Sequence, residues 1–299
     1  MNNDRQTRSF LMRRFKETGI FPETRHGQNF LIDLNLVELL VRTAAIGPDD
    51  VVLEIGTGTG SLTAMMAPQA SAVITVEIDG KLFQLASEEL IDFNNVTMLK
   101  QDALKNKNHF HPKVLATIDE KLREVPGRRL KLAANLPYNV ATPILSNLLT
   151  IEHIPGSMTA TIQRELAERM IAKPNTKDYS SLSIWMQSLC DIEIVRIMPP
   201  DVFWPRPKVH SAIVHIVPNA EKRARIPDLA FFKEFVRSMF FHRRKFLRSV
   251  ILSAYKGRLD KPTVDAVMGE MNLGPDARAE QLNLERMLAL CENLRARLE

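Results

Sequence analysis

The chain has 299 residues, 45% of them hydrophobic, which is enough for a true core in one large or two ordinary domains. No run approaches the roughly 18 apolar residues of a membrane span, and the polar start Met1-Asn-Asn-Asp-Arg-Gln6 lacks the apolar centre of a secretory signal. Arg8, Arg13 and Arg14 point weakly to a transit peptide and Asp4 and Glu17 point away from one, so a cytoplasmic protein is expected. The two cysteines, Cys190 and Cys291, match no metal-ligand spacing, so inert thiols in a reducing compartment and no bound metal are expected. The formal net charge of +5 is uneven. Residues 1–218 carry 24 Lys and Arg against 24 Asp and Glu, whereas residues 219–299 carry 16 against 11. Nine basic and two acidic residues fall between Lys222 and Arg248, a field that attracts polyanions unless it is simply a solvated helical surface.

In chain order, residues 1–25 are basic and irregular, with a short helix at 9–18. An apolar-periodic helix follows at 34–45, with Asn35 and Glu38 spaced as a capping box. A β-branched strand at 51–55 runs into Gly56-Thr-Gly-Thr-Gly60 and then into a helix. A strand at 72–78, a helix at 81–91 and a strand at 96–100 continue the alternation, which predicts a right-handed, mostly parallel sheet. Residues 105–129 read as an excursion, polar and then helical near 114–125. The apolar run 130–134 is a short buried strand that delivers Asn135-Leu-Pro-Tyr138 to its C-terminal end. A helix at 143–149, a strand at 157–163 and helices at 165–172 and 182–189 come next. Strands at 192–197 and 211–217 flank a Pro-rich crossover, 199–207, too stiff for either regular element. Residues 218–227 read as a linker, and the remainder is helical.

The glycine loop lets backbone approach a ligand closely. It departs from the dinucleotide pattern, since Ser61 stands where a third small packing residue belongs, and Glu54 before the loop disfavours a pyrophosphate. Glu77 ends the second strand about 20 residues past the loop, where a carboxylate can accept two ribose hydroxyls. Asp102 follows the third strand and can accept from an adenine amine. Either carboxylate could instead be a cap or a loop group. A nucleoside without phosphate, carrying a cationic amino-acid tail, describes S-adenosylmethionine.

These motifs resemble those of the adenine-N6 dimethyltransferases of small-subunit ribosomal RNA, the KsgA family. The anchors are Gly27-Gln-Asn-Phe-Leu31, Glu54-Ile-Gly-Thr-Gly-Thr-Gly60, Val76-Glu-Ile-Asp79, Gln101-Asp-Ala103 and Asn135-Leu-Pro-Tyr138. Further on are Gln163-Arg-Glu165, Phe203-Trp-Pro-Arg-Pro-Lys-Val-His-Ser-Ala212 and Phe241-His-Arg-Arg-Lys-Phe-Leu-Arg248. The resemblance implies an α/β protein: a Rossmann-like S-adenosylmethionine-dependent methyltransferase sheet with a smaller all-helical C-terminal domain. The expected division is a basic segment at 1–25, the methyltransferase domain at 26–218 and a helical RNA-binding domain at 228–299. Gln28, Asn29, Leu31, Gly56, Gly58, Glu77, Asp102 and Asn135 are implied as contacts of S-adenosylmethionine. The implied product is dimethylation of two adjacent adenines near the 3′ end of small-subunit rRNA, on the assembling subunit, by a monomer. Thr57, Thr59, His210 and a longer 105–129 segment depart from the family pattern.

On this reading Asn135 and the Leu136 carbonyl accept the two N–H bonds of the target amine, Pro137 fixes the carbonyl, and Tyr138 stacks on the base. Phe203 either closes the other face of the base or belongs to the core. Arg243, Arg244, Lys245 and Arg248, on one helical stretch, together with Lys222, Arg223 and Arg225, grip phosphates. Phe240, Phe246 and Leu247 pack the C-terminal core. Two alternatives stand beside this reading: a large-subunit rRNA adenine methyltransferase of the antibiotic-resistance kind, and a non-catalytic RNA-binding assembly factor.

Overall fold

The computed structural model describes residues 8–19, 22 and 28–298. Residues 1–7, 20, 21 and 23–25 of the basic segment 1–25, and Gly27 of the Gly27–Leu31 motif, therefore lie outside the described residues. The chain forms two compact units, the described part of Met1–Ala167 with Ile192–Pro218, and Glu168–Asp191 with the described part of Asn219–Glu299.

The first unit is built on a seven-stranded sheet. Its strands are β2 (Asp50–Ile55), β3 (Ala72–Glu77), β4 (Val96–Lys100), β7 (Arg129–Asn135), β8 (Ser157–Gln163), β9 (Cys190–Met198) and β11 (Ser211–Pro218), in the order β4-β3-β2-β7-β8-β11-β9. Strands β4 to β8 run parallel, and β11 pairs antiparallel with β8. Every residue of β2 and β3 is buried, as continuous apolar strands covered on both faces must be. The covering helices are α2 (Leu34–Ala44), α3 (Ser61–Met66), α4 (Gly80–Glu89), α5 (Pro112–Arg123) and α6 (Ala141–Leu148). Each buries an apolar stripe at helical spacing, such as Val37, Leu40, Val41 and Ala44 in α2. The chain leaves β2 towards β3 on one side, while β7 lies on the other, so the sheet's topological switch point falls between these two central strands.

Helix α1 (Arg8–Thr18) lies where the short N-terminal helix was expected, and its Leu11 and Phe15 are buried against Leu82 and Leu85 of α4. Four expectations are corrected. The cap of α2 is Asp33, whose Oδ1 accepts from the N–H groups of Asn35 and Leu36 at 3.0 and 3.3 Å; Asn35 is already inside the helix. Residues 105–129 are not an excursion from the sheet. A hairpin of β5 (Leu104–Asn106) and β6 (His109–Phe110) leads into α5, which begins at Pro112 and is the crossover to β7, burying Val114, Thr117 and Ile118. Within the Pro-rich crossover, β10 (Phe203–Trp204) pairs antiparallel with β1 (Phe30–Leu31), because two aromatic residues between prolines are free to extend. In the expected linker, Asn219 caps a short helix, α9 (Ala220–Ala224), by accepting from the Lys222 N–H at 3.0 Å.

The second unit is helical: α8 (Ser181–Gln187), α9, α10 (Leu229–Phe240), α11 (Leu247–Ala254), α12 (Lys261–Glu270) and α13 (Leu284–Arg295). Residues 168–191, expected within the 26–218 domain, belong here. Trp185 of α8 stacks on Phe232 of α10 with ring centroids 6.4 Å apart, and the Tyr179 hydroxyl donates to the Leu282 carbonyl at 2.8 Å. The basic tract is not one helical stretch, since α10 ends at Phe240 and α11 starts at Leu247 with a turn between them. Leu247 is buried, but Phe246 is 42% and Phe241 75% exposed, so Phe246 does not fill the core. Cys190 and Cys291 are free and buried, and burial pushes both thiols up to about 12, which leaves them unreactive at neutral pH. Among the described residues no helix is long and apolar enough to cross a membrane.

Replacing Asp33 by Ala removes two accepted hydrogen bonds at the start of α2, and thermal or denaturant unfolding should show a loss of about 1 kcal/mol.

Candidate active site

The site forms at the switch point because two chain segments 80 residues apart meet there. β2 delivers the glycine loop, and β7 ends on Asn135, so Asn135-Leu-Pro-Tyr138 begins at the neighbouring strand end. Gly56 has φ +87° and a Cβ placed on it would stand 3.3 Å from the Pro137 ring, so close approach of the two segments requires glycine there. Gly58 has φ +58° and faces the Phe30 ring at 3.2 Å in the same way. Phe30 is in turn held edge-on by Phe15 of α1 with centroids 5.2 Å apart.

Gln28, Asn29, Gly56, Gly58, Glu77 and Asp102 line one crevice with the whole Asn135–Tyr138 quartet. Leu31 lines an adjoining hollow shared with Gly56, Gly58 and Asn135. The Asn135 Nδ2 donates to the Asn29 carbonyl at 2.9 Å, which orients the amide and leaves Oδ1 as its acceptor. The Leu136 N–H donates to the Thr161 carbonyl at 3.2 Å, fixing the peptide that follows Asn135. The Tyr138 hydroxyl bonds the Ser211 hydroxyl at 2.5 Å, and burial pushes its ionisation up, so the ring is held in place as a neutral phenol.

The carboxylates play different parts. Glu77 is buried at the end of β3; Oε2 accepts from the Gly58 N–H and Oε1 from the Asp79 N–H, both at 2.9 Å. Each oxygen keeps lone-pair capacity towards the crevice. Burial raises its pKa above the ordinary carboxylate value. Asp102 is exposed at the end of β4, where Oδ1 accepts from the Leu104 N–H at 2.9 Å. Glu54 is only 1% exposed, and its Oε2 accepts from the Thr63 hydroxyl and, at 2.7 Å, from the Thr75 hydroxyl. Thr57 joins the cluster through Thr75 at 2.6 Å. Burial pushes Glu54 up to about 8, so it is a neutral polar strut under the loop near pH 7 rather than a fixed charge repelling phosphate.

Phe203 does not join the crevice. It is 2% exposed in a cluster with Leu31, Val37 and Leu40, because its pairing with β1 turns it into the core. The basic residues expected to grip phosphates belong to the second unit. Arg243 Nε donates to Glu280 at 2.5 Å and Nη2 to the Thr176 carbonyl at 2.6 Å, while Arg248 makes a two-pronged pair with Asp265 at 2.5 and 2.8 Å. Lys222 bonds the Cys190 carbonyl and Asp191, Arg223 the Ile226 carbonyl, and Arg225 Glu285. Arg244 and Lys245 are exposed. Sequence reasoning overlooked Ile78, an apolar side chain 48% exposed at the crevice, Phe30 as the ring against the loop, and Ser211 as the anchor of Tyr138. The first two adjoin residues already singled out, and that adjacency was the available signal. Nothing local to Ser211 marks its link to Tyr138. Among the described residues there is no cluster of His, Cys, Asp and Glu fit to hold a metal ion.

A parallel sheet, a glycine loop with close backbone approach and carboxylates at successive strand ends define a Rossmann-like S-adenosylmethionine-dependent methyltransferase. The family model for ribosomal RNA adenine dimethylase matches residues 22–290, and the chain belongs to that family. It is 36% identical to ribosomal RNA small subunit methyltransferase A of Halothermothrix orenii, over 90% of this chain and 86% of the relative. The fold is similar to that of a dimethyladenosine transferase from Plasmodium falciparum, with TM-score 0.72 and 23% identity over 89% of this chain and 97% of the other. It is also similar to the 23S rRNA methyltransferase ErmE, with TM-score 0.61 and 25% identity over 89% and 99%.

A carboxyl whose pKa is higher folded than unfolded takes up a proton on folding, so its contribution to stability is full at low pH and is lost as pH rises. For Glu54 the window runs from the ordinary 4.5 to about 8. Glu54→Gln should make the fall of stability across that window shallower by nearly one proton, read from denaturant unfolding at a series of pH values.

Proposed function

We propose that the protein transfers methyl groups from S-adenosylmethionine to the N6 amines of two adjacent adenines near the 3′ end of small-subunit rRNA, giving N6,N6-dimethyladenosine on the assembling subunit. The observation that carries this reading is the Asn135 amide. Its Nδ2 is held by the Asn29 carbonyl, so its Oδ1 is a fixed acceptor at the strand end where the glycine loop and Tyr138 meet. The relative named for the small subunit supports that substrate over the large subunit named for ErmE.

The residues present fit the methyl donor. Gly56 and Gly58, at positive φ and packed against Pro137 and Phe30, let bare loop backbone border the crevice, and Glu77 offers both carboxylate oxygens at the end of β3, in reach of a ribose. When bound, S-adenosylmethionine supplies an electrophilic methyl group on a sulfonium. An adenine amine is a poor nucleophile because its lone pair is delocalised into the ring. Asn135 Oδ1 and the Leu136 carbonyl accept the two N–H bonds, which localises that lone pair towards the methyl carbon. Tyr138, pinned by Ser211, stacks on the base, an interaction worth on the order of 1–3 kcal/mol. The proton displaced from nitrogen leaves to solvent, so no general base is needed. The target adenine must be unstacked to enter.

Labelled S-adenosylmethionine incubated with under-methylated small subunits, and in parallel with large subunits, should give labelled N6,N6-dimethyladenosine in the small-subunit rRNA on nucleoside analysis. Label confined to large-subunit rRNA would replace this reading with the ErmE-like one, and no label in either would support a non-catalytic assembly factor. Asn135→Ala should lower transfer by at least about 100-fold, the effect of losing one preorganised polar group, with binding to subunits retained. Full activity in that variant would remove Asn135 as the amine acceptor.

A further inference from the structure

The β5–β6 hairpin has no part in the chemistry above, yet its composition is one-sided. Between Asp102 and Asp119 there is no acidic residue, while Lys105, Lys107, Lys113, His109 and His111 all fall there. The hairpin base is anchored, since Leu104 and Phe110 face each other in register and are both buried. Residues 105–109, between them, are all exposed.

The tip is held in one shape. Asn106 Oδ1 accepts from the Asn108 N–H at 2.9 Å and from His109 Nδ1 at 3.0 Å. Asn147 of α6, itself 3% exposed, donates from Nδ2 to the Lys107 carbonyl at 3.1 Å. Ile144, one turn earlier on α6, lines the crevice, as do Asp102 and Leu104 at the foot of the hairpin. The tip is thus tied to the crevice wall by a single helical turn, a rise of about 5 Å.

Among the described residues no ion pair or hydrogen bond engages the Lys105 or Lys107 ammonium. This contrasts with Arg243 and Arg248, whose guanidinium groups face Glu280 and Asp265. The acidic groups across the adjoining groove are Asp119 and Glu152. Asp119 is bonded by Arg123 at 2.8 Å and by His153 at 3.0 Å, and Glu152 is solvated.

We propose that the β5–β6 hairpin is a phosphate-binding element that holds the RNA backbone beside the crevice through Lys105 and Lys107. The proposal rests on the reading that an RNA base enters that crevice. A base flipped out of its stack leaves its flanking phosphates at the pocket mouth, where two unneutralised ammonium groups on a rigid tip meet them with little ordering cost. The hairpin's phenyl ring, Phe110, is buried and offers bases no stacking face, so the two lysines are what the tip presents to a phosphate backbone.

The test is the double variant Lys105→Gln/Lys107→Gln, assayed on under-methylated small subunits beside the wild type. The logarithmic salt dependence of subunit binding should become shallower by about 1 per lysine, about 2 in all. At low salt KM for subunits should rise about tenfold, with kcat within about twofold and affinity for S-adenosylmethionine preserved. An unchanged salt slope, with a wild type that methylates the subunits, overturns the proposal. A wild type that methylates neither subunit overturns the underlying reading, and this proposal with it.

Discussion

Everything at the site depends on backbone meeting backbone at two adjacent strand ends. The Pro137 ring lies where a side chain on Gly56 would be, so the glycine loop and the Asn135–Tyr138 quartet occupy one another's steric allowance. A methyl transfer needs donor and acceptor within bonding approach and in line, and here the two segments that would supply the donor's cradle and the amine's acceptors cannot drift apart without opening a void. The parallel pairing of β2 with β7 sets that distance, and burial on both faces of β2 holds the pairing.

Two carboxyl groups in one small region, Glu54 and Glu77, are tuned by their surroundings rather than by their type. Glu54, surrounded by threonine hydroxyls and removed from water, is neutral near pH 7 and buttresses the loop from below. Glu77 is also buried, and burial raises its pKa, while the two backbone N–H groups that meet it favour the ionised form and oppose that rise. Asp102 stays at the surface and organises the first turn of the hairpin while facing the crevice. Glu77 is thus bonded directly to the glycine loop through the Gly58 N–H, while Asp102 lies at the next strand end.

The sheet and the crevice were legible because each of their signals is local. A β-branched run followed by glycines, an acid at the end of the next strand and Asn-Leu-Pro-Tyr after another apolar run each announce a strand end. The parallel topology then gathers the strand ends at one edge. What was not legible depends on pairings distant in sequence. Phe203 reads equally as a base-stacking ring or a core residue until its pairing with Leu31 turns it inward. Arg243 and Arg248 read as free cations until Glu280 and Asp265, 37 and 17 residues on, are found beside them. The Asn35 and Glu38 spacing misled for a smaller reason: Asp33 lies two residues earlier and starts the helix there by accepting from the Asn35 and Leu36 N–H groups.

The path of the chain has a consequence for how this protein can be divided. Residues 168–191 leave the sheet-bearing part, contribute α8 to the helical part and return as β9. Ending the chain after Pro218 would not release a self-contained catalytic half, because α8 would remain with Trp185 stripped of its Phe232 partner and Tyr179 of its Leu282 acceptor. The helical part is thus an intercalated module, woven in at two places along the chain, and a cut at a single point does not separate the two parts.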